Sequence, residues 1–144
     1  MITAGDWTPT SAVSWSMPKL PRIARSSLAA EIQSACVGED EAYLIRLMWA
    51  EINGCTQMST DEAVNQVKCI LVTDAKALYD ACKSETSVLG LKERRSGIEL
   101  LALKENLAKN QTALRWVNSG AMLADPMTKG RKSYLMDRFL QNLC

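Results

Sequence analysis

Strand-length apolar runs alternate with helical segments along this chain. The clearest run is Lys68–Val72, KCILV, whose continuous apolar character is typical of a strand buried on both faces of a sheet. A helix is predicted directly after it at Ala75–Lys83, and a second strand, Ala113–Val117, follows a predicted helix at Leu91–Lys109. This alternation favours an α/β layered domain with a partly parallel sheet.

The longest helical segment is Ser26–Ile52, with Ser26 or Ser27 as its N-cap. Residues 53–65 are predicted to be a polar linker with a short turn at Ser59–Glu62. Two sets of apolar side chains recur at helical spacing and are expected to face the core. They are Leu28, Ile32, Ala35, Cys36, Ala42, Ile45, Met48, Trp49 and Ile52 in the long helix, and Ile98, Leu101, Ala102 and Leu107 in the later one.

The 144 residues are expected to form a single domain, since 47% hydrophobic and 23% charged residues are ordinary globular values. Ala12–Ser16 alternates with period two and is predicted to be the second arm of a hairpin over residues 1–17. The long helix 26–52 follows, and the remaining α/β core covers residues 66–144. A terminal amphipathic helix is predicted at Ser133–Leu143.

Composition excludes several kinds of site. The chain has no histidine, which removes Cys/His zinc sites and histidine acid–base chemistry. Its five cysteines contain no CxxC pair and fit a reducing compartment. No apolar run is long enough to span a membrane and no secretory signal opens the sequence, so an intracellular location, cytoplasmic or nuclear, is expected.

Charge is distributed unevenly. From Lys92 onward the chain has 10 of its 17 Lys/Arg residues but only 5 of its 16 Asp/Glu residues. Such a basic half either lies along a polyanion or consists of solvated helix faces.

Three carboxylates are candidate metal ligands, and one of them, Asp74, stands where open α/β sheets bind ligands. Glu31 lies near a helix start beside the small residues Ala29 and Ala30, Asp74 follows a predicted buried strand, and Asp125 precedes Pro126. Each has a structural explanation, as a solvated helical glutamate or a helix N-cap. If they converge, they form a hard oxygen site for Mg²⁺ or Mn²⁺. Two such ions about 4 Å apart would activate water and stabilise the leaving oxygen in phosphodiester cleavage.

Three motifs together resemble a known family. The motifs are RSSLAAEI at residues 25–32, VTDAKALYDA at 72–81 and LADPMTK at 123–129. In this order and at this approximate spacing they are similar to the RNase H region that ends copia-type retrotransposon Pol polyproteins. Val13–Ser16 and Lys19–Pro21 also match the strand before the first motif, so the resemblance covers essentially the whole chain.

The resemblance implies an RNase H-like fold, a mixed sheet flanked by helices. It implies metal-ligand roles for Glu31, Asp74 and Asp125, with Mg²⁺ or Mn²⁺ as cofactor. The implied reaction is hydrolysis of the RNA strand of an RNA–DNA hybrid. The implied partners are that hybrid and the reverse transcriptase region of the same polyprotein, with no membrane.

The sequence departs from the family pattern in three places. The family's first aspartate lies on a central opening strand upstream of the hairpin, which this chain is expected to lack, and Asp6 lies in a turn and is not assigned that role. The segment Leu91–Ile98 replaces a Lys-His-Ile segment, and Pro126–Met127 stands where aliphatic residues are common. We therefore expect an N-terminally truncated domain that is inactive in isolation. The alternative is a non-catalytic interaction or scaffold module whose carboxylates are caps and surface charges.

Overall fold

The computed structural model of the chain describes residues 13–14, 19–55, 57–84 and 94–122. The chain divides into two compact units, one formed by Leu20–Val117 and the other by Met1–Lys19 with Asn118–Cys144. In the second unit a 3-10 helix, Ser119–Ala121, is capped by the Asn118 side chain, which accepts a hydrogen bond from the Gly120 amide at 3.0 Å. The expectation of a single domain stays a prediction.

Two predicted elements fall almost wholly outside the described residues. Of the hairpin over residues 1–17 only Val13 and Ser14 are described, and the helix predicted at Ser133–Leu143 is not described. The predictions for both elements therefore remain predictions.

The first two helices of the larger unit are fixed by serine caps. Helix α1 covers Ser27–Ile52, and the Ser26 hydroxyl accepts from the Ala29 amide at 3.1 Å. Helix α2 covers Thr60–Asn65 inside the segment predicted as a linker. The turn predicted at Ser59–Glu62 is instead the beginning of this helix, because Ser59 and Glu62 form a reciprocal capping box.

A parallel strand pair forms the sheet of the larger unit. Strand β1 covers Cys69–Thr73 and strand β2 covers Thr112–Trp116, paired in parallel with Cys69 opposite Thr112 and Thr73 opposite Trp116. The connection contains helices α3, Lys76–Lys83, and α4, Arg94–Lys109. Parallel strands need such a helical crossover. The predicted α/β class with a partly parallel sheet is confirmed.

One face of this sheet packs on the helices. The core consists of buried aliphatic side chains from α1, α3, α4 and β2: Ile32, Leu78, Leu100, Leu103, Leu107 and Leu114. On the other face, Ile70 and Val72 are 47% and 40% exposed. The prediction that β1 is buried on both faces was therefore wrong, since the helices described here cover only one of them.

The core-facing side of α1 is partly polar. The buried positions Ala29, Ile32, Glu39, Arg46 and Ala50 follow one line along the helix. Leu44, Met48, Trp49 and Ile52 lie off this line and are exposed. The expectation that Met48, Trp49 and Ile52 face the core was therefore wrong, because Arg46 and Ala50 occupy the core-facing positions in this part of the helix. None of the described helices is long and apolar enough to cross a membrane.

The apolar stripe predicted for α4 was also largely wrong. Ile98, Leu101 and Ala102 are exposed, and only Leu107 of the predicted set is buried. The buried line instead follows Ser96, Leu100, Leu103 and Leu107, which are spaced by three or four residues.

A buried polar network links α1 to the start of β2. The Arg46 guanidinium donates to the Val67 carbonyl at 2.8 Å, to the Asn110 carbonyl at 2.8 Å and to the Thr112 hydroxyl at 3.1 Å. The Asn110 amide group in turn donates to the Glu39 carboxyl group at 2.6 Å. Arg46 and Glu39, on the core line of α1, thus have hydrogen-bond partners distant in sequence.

Replacing Gly38, inside α1, and Gly54, just after it, by alanine is expected to change the stability in opposite directions. Gly38 lies inside the helix, and an added Cβ would meet Leu71 Cδ1 at 3.6 Å, an ordinary contact. Gly38→Ala should therefore raise the free energy of unfolding by about 1 kcal/mol, through helix propensity. Gly54, after the helix, has φ +85°, so Gly54→Ala should lower that free energy by about 1 kcal/mol. Urea unfolding of both variants measures the two changes in the free energy of unfolding. Changes of the same sign would contradict the prediction.

Candidate functional site

Asp74 lies at the carboxyl edge of the parallel strand pair, where the sequence places it. The register aligns Thr73 with Trp116, so both strands end at this edge. The Val117 amide donates to the Thr73 carbonyl at 2.9 Å, and the Thr73 hydroxyl accepts from the Ala75 amide at 3.1 Å. These bonds fix the backbone on both sides of Asp74 in the loop between β1 and α3.

Glu31 is the fifth residue of α1 and comes to the site from a separate element. The Ser26 cap sets where the helix begins and so fixes the position of Glu31. The preceding Ala29 is buried and Ala30 is half-buried, so the helix is closely packed here. Glu31 itself is half-buried, and it is therefore not the fully solvated glutamate that a helix surface would give.

The charge of Asp74 acts on Glu31. Burial raises the pKa of the Glu31 carboxyl group above its ordinary value of 4.5, and the charge of Asp74 raises it further. A like charge has this effect only at short range, since it disfavours a second ionised carboxylate nearby. The structure thus brings together two of the three carboxylates singled out in the sequence. Paired carboxylates of this kind are oxygen donors suited to a divalent cation.

The third predicted residue, Asp125, lies outside the described residues. Within the ranges that the structure describes, no group of three or more His, Cys, Asp or Glu side chains is placed to hold a metal ion. The metal-ligand role of Asp125 therefore stays a prediction.

Trp116 and Lys76 lie beside Asp74, and sequence reasoning missed both. The Trp116 indole N–H donates to the Asp74 carbonyl at 3.0 Å, and Lys76 Nζ is 5.4 Å from the centre of the indole ring. Lys76 also lies 3.9 Å from the Asp80 carboxylate one turn later in α3. Finding these neighbours requires the register of β1 against β2, which cannot be read from the sequence of either strand alone. The Trp116 indole therefore holds the Asp74 backbone, and the Lys76 ammonium group lies over the indole ring.

Comparison of the chain with family models, curated proteins and solved structures gives no match.

The raised pKa of Glu31 has a definite effect on stability. Between 4.5 and the higher folded-state value, the native protein binds more protons at Glu31 than the unfolded chain does. This group therefore lowers the stability as the pH rises through that window, and its unfavourable contribution is complete above it. A cation held by both carboxylates would offset the repulsion between them.

Asp74→Asn is expected to lower the pKa of Glu31 while leaving it above 4.5. The substitution removes the charge of Asp74 but not the burial, which is the larger cause of the raised value. A pH titration of the Glu31 carboxyl carbon by NMR measures the change, with Asp40→Asn, an exposed aspartate of α1, as the matched control. If both variants leave the Glu31 titration unchanged, Glu31 and Asp74 are not an interacting pair.

Proposed function

We propose that this chain is an RNase H-like module from the Pol polyprotein of a copia-type retroelement. Glu31 and Asp74, with Asp125, would be ligands of its divalent cations, Mg²⁺ or Mn²⁺. The observation that carries the proposal is the electrostatic coupling of Glu31 and Asp74, which come from α1 and from the carboxyl end of β1. These two residues occupy two of the three sequence motifs that resemble the family.

The donor set fits hard cations. Both side chains of the described pair are carboxylates, and the chain contains no histidine. Bound divalent cations would supply an activated water and would stabilise the leaving oxygen of a phosphodiester. The half-buried position of Glu31 restricts water around one carboxylate, and the Trp116 indole holds the backbone of the other.

The substrate class is the RNA strand of an RNA–DNA hybrid, and the natural partner is the reverse transcriptase region of the same polyprotein. Exposed arginines are available for a polyanion, including Arg94 and Arg95 at the start of α4 and Arg115 on β2. Lys109, by contrast, pairs with Asp61 at 3.0 Å. Three assigned carboxylates stand where the family uses four, so we expect the isolated chain not to cleave.

A non-catalytic interaction module is the second candidate. The observation that favours it is the exposed apolar side of α1, which carries Leu44, Met48, Trp49 and Ile52. In this case Glu31 and Asp74 would be structural residues without specific affinity for a cation.

Magnesium titration separates the two candidates. We expect Mg²⁺ to raise the unfolding temperature in a concentration-dependent way, since a ligand of the native state stabilises by about 2.7 kcal/mol at 100 times its Kd. Asp74→Asn should abolish this rise, whereas Asp40→Asn should retain it. No specific rise in the unmodified chain would favour the interaction module. Hydrolysis of a hybrid by the isolated chain that disappears in Asp74→Asn would support the site but would contradict the expected inactivity.

A further inference from the structure

A cavity opens at the edge of the sheet opposite the candidate metal site. It lies between the end of α3, the second half of α4 and the beginning of β2, and its volume is about 320 Å³. Its lining residues are Cys82, Lys83, Lys104, Leu107, Ala108, Thr112, Ala113 and Leu114. The first three residues of β2 contribute to it, whereas Trp116 at the other end of that strand lies beside Asp74.

The base of the cavity is apolar and reaches the core. Leu107 and Leu114 are each 8% exposed, whereas Leu78 and Leu103 of the same core are 1% exposed. These two leucines are thus the core side chains that the cavity reaches. An apolar group seated here would extend the core and lose its own contact with water.

The rim of the cavity is cationic. Lys83 and Lys104 line it, and none of its lining residues is a carboxylate. Lys104 donates to the Ser84 carbonyl at 2.6 Å, which holds its ammonium group on the α3 side and leaves two N–H donors for another acceptor. Burial raises the pKa of the Cys82 thiol, while the charges of Lys104 and Lys83 act in the opposite direction. The thiol and both lysines thus line the same cavity, and both positive charges act on the thiol.

We infer that this cavity binds a small amphipathic monocarboxylate, with the aliphatic body on Leu107 and Leu114 and the carboxylate between Lys83 and Lys104. Charge-assisted hydrogen bonds from ammonium groups suit a carboxylate. The volume lies at the lower end of the range for small-molecule sites, roughly 300–1,000 Å³. The inference rests on a different part of the larger unit from Glu31 and Asp74, and so does not depend on the proposed function.

Alkylation of Cys82 provides the test, using decanoate below its micelle concentration as the probe. Iodoacetamide labelling of the full chain is followed for each cysteine-containing peptide by mass spectrometry. We expect decanoate to slow labelling of Cys82 about tenfold, which corresponds to 1.4 kcal/mol. Cys55 and Cys69 lie outside the cavity lining and should be unaffected. Decanol, which has the same body without the charge, should protect Cys82 much less.

Variants at the rim decide whether the charge matters. Lys83→Met with Lys104→Met should abolish the protection, and Lys83→Arg with Lys104→Arg should retain it. Lys19→Met with Lys68→Met, at two exposed lysines outside the cavity lining, serves as the control of equal charge loss. Cys36 reports unfolding, because burial raises the pKa of its thiol to about 11 and it packs against the core. If the Met variant exposes Cys36, the Arg variant and decanol decide the question. Equal protection by decanol, protection of all cysteines together, or no protection of Cys82 would overturn the inference.

Discussion

Arg46→Met is expected to lower the free energy of unfolding by about 3 to 5 kcal/mol, because it removes the donor of three hydrogen bonds in a buried polar network. Arg46 is only 4% exposed and donates three hydrogen bonds. Methionine preserves most of the side-chain volume but leaves the acceptors on Val67, Asn110 and Thr112 without their donor. Each buried acceptor left unsatisfied costs about 1–3 kcal/mol. The loss would be a large share of a typical total of about 5–15 kcal/mol.

The expected size of this effect follows from what Arg46 connects. Its partners lie in the segment between α2 and β1, in the turn between α4 and β2, and in β2 itself. One side chain thus joins α1 to β2 and to the segments that lead into both strands. Its removal should weaken the packing of the long helix on the sheet as well as the local hydrogen bonds.

Urea unfolding provides the measurement, and Arg115→Met is the matched control. Arg115 is an exposed arginine of β2, and its replacement should change the free energy of unfolding by no more than about 0.5 kcal/mol. Equal effects of the two substitutions, with unchanged m-values, would show that the buried network does not stabilise the fold.

The strands and their order could be predicted from the sequence because their apolar runs are short and bounded by polar residues. β1 is displaced by one residue from the predicted Lys68–Val72, and β2 by one residue from Ala113–Val117. The helical segments between them require a crossover, and a crossover of this kind joins parallel strands. Local patterns were therefore sufficient for the α/β class.

The buried faces of the helices could not be predicted in the same way. Periodicity identifies the apolar side of a helix. Arg46 and Glu39 are nevertheless buried, because Asn110 and Thr112, which are distant in sequence, form hydrogen bonds with them. In α4 the small residue Ser96 is buried while Ile98 is exposed. Which residues of a helix are buried thus depends on their tertiary partners rather than on the local pattern.

The candidate site shows the same division. The position of Asp74 followed from the strand end, and its charge raises the pKa of Glu31. The neighbour Trp116 required the register of the two strands, which sequence reasoning did not supply. Asp125 lies outside the described residues, and its convergence with the other two stays a prediction.

The loss of cation binding in Asp74→Asn is the other large effect that we expect. The charge of Asp74 acts on Glu31, and its carboxylate would supply oxygen ligands to a divalent cation held there. Its amide replacement removes the charge while keeping the shape. Binding should therefore fall much more than it does in Asp40→Asn, where an exposed aspartate of α1 loses the same charge.

Addition of paramagnetic Mn²⁺ to the full chain, followed by NMR of the side-chain carboxyl carbons, tests the shared site most directly. Signals of groups close to a bound Mn²⁺ are broadened, so the measurement reports which carboxylates lie around one ion. We predict that Glu31, Asp74 and Asp125 broaden together at low Mn²⁺ concentration, before exposed groups such as Asp40 and Glu105, and that Asp74→Asn abolishes this selectivity. Broadening that omits Asp125, or that affects all carboxylates equally, would contradict a shared metal site.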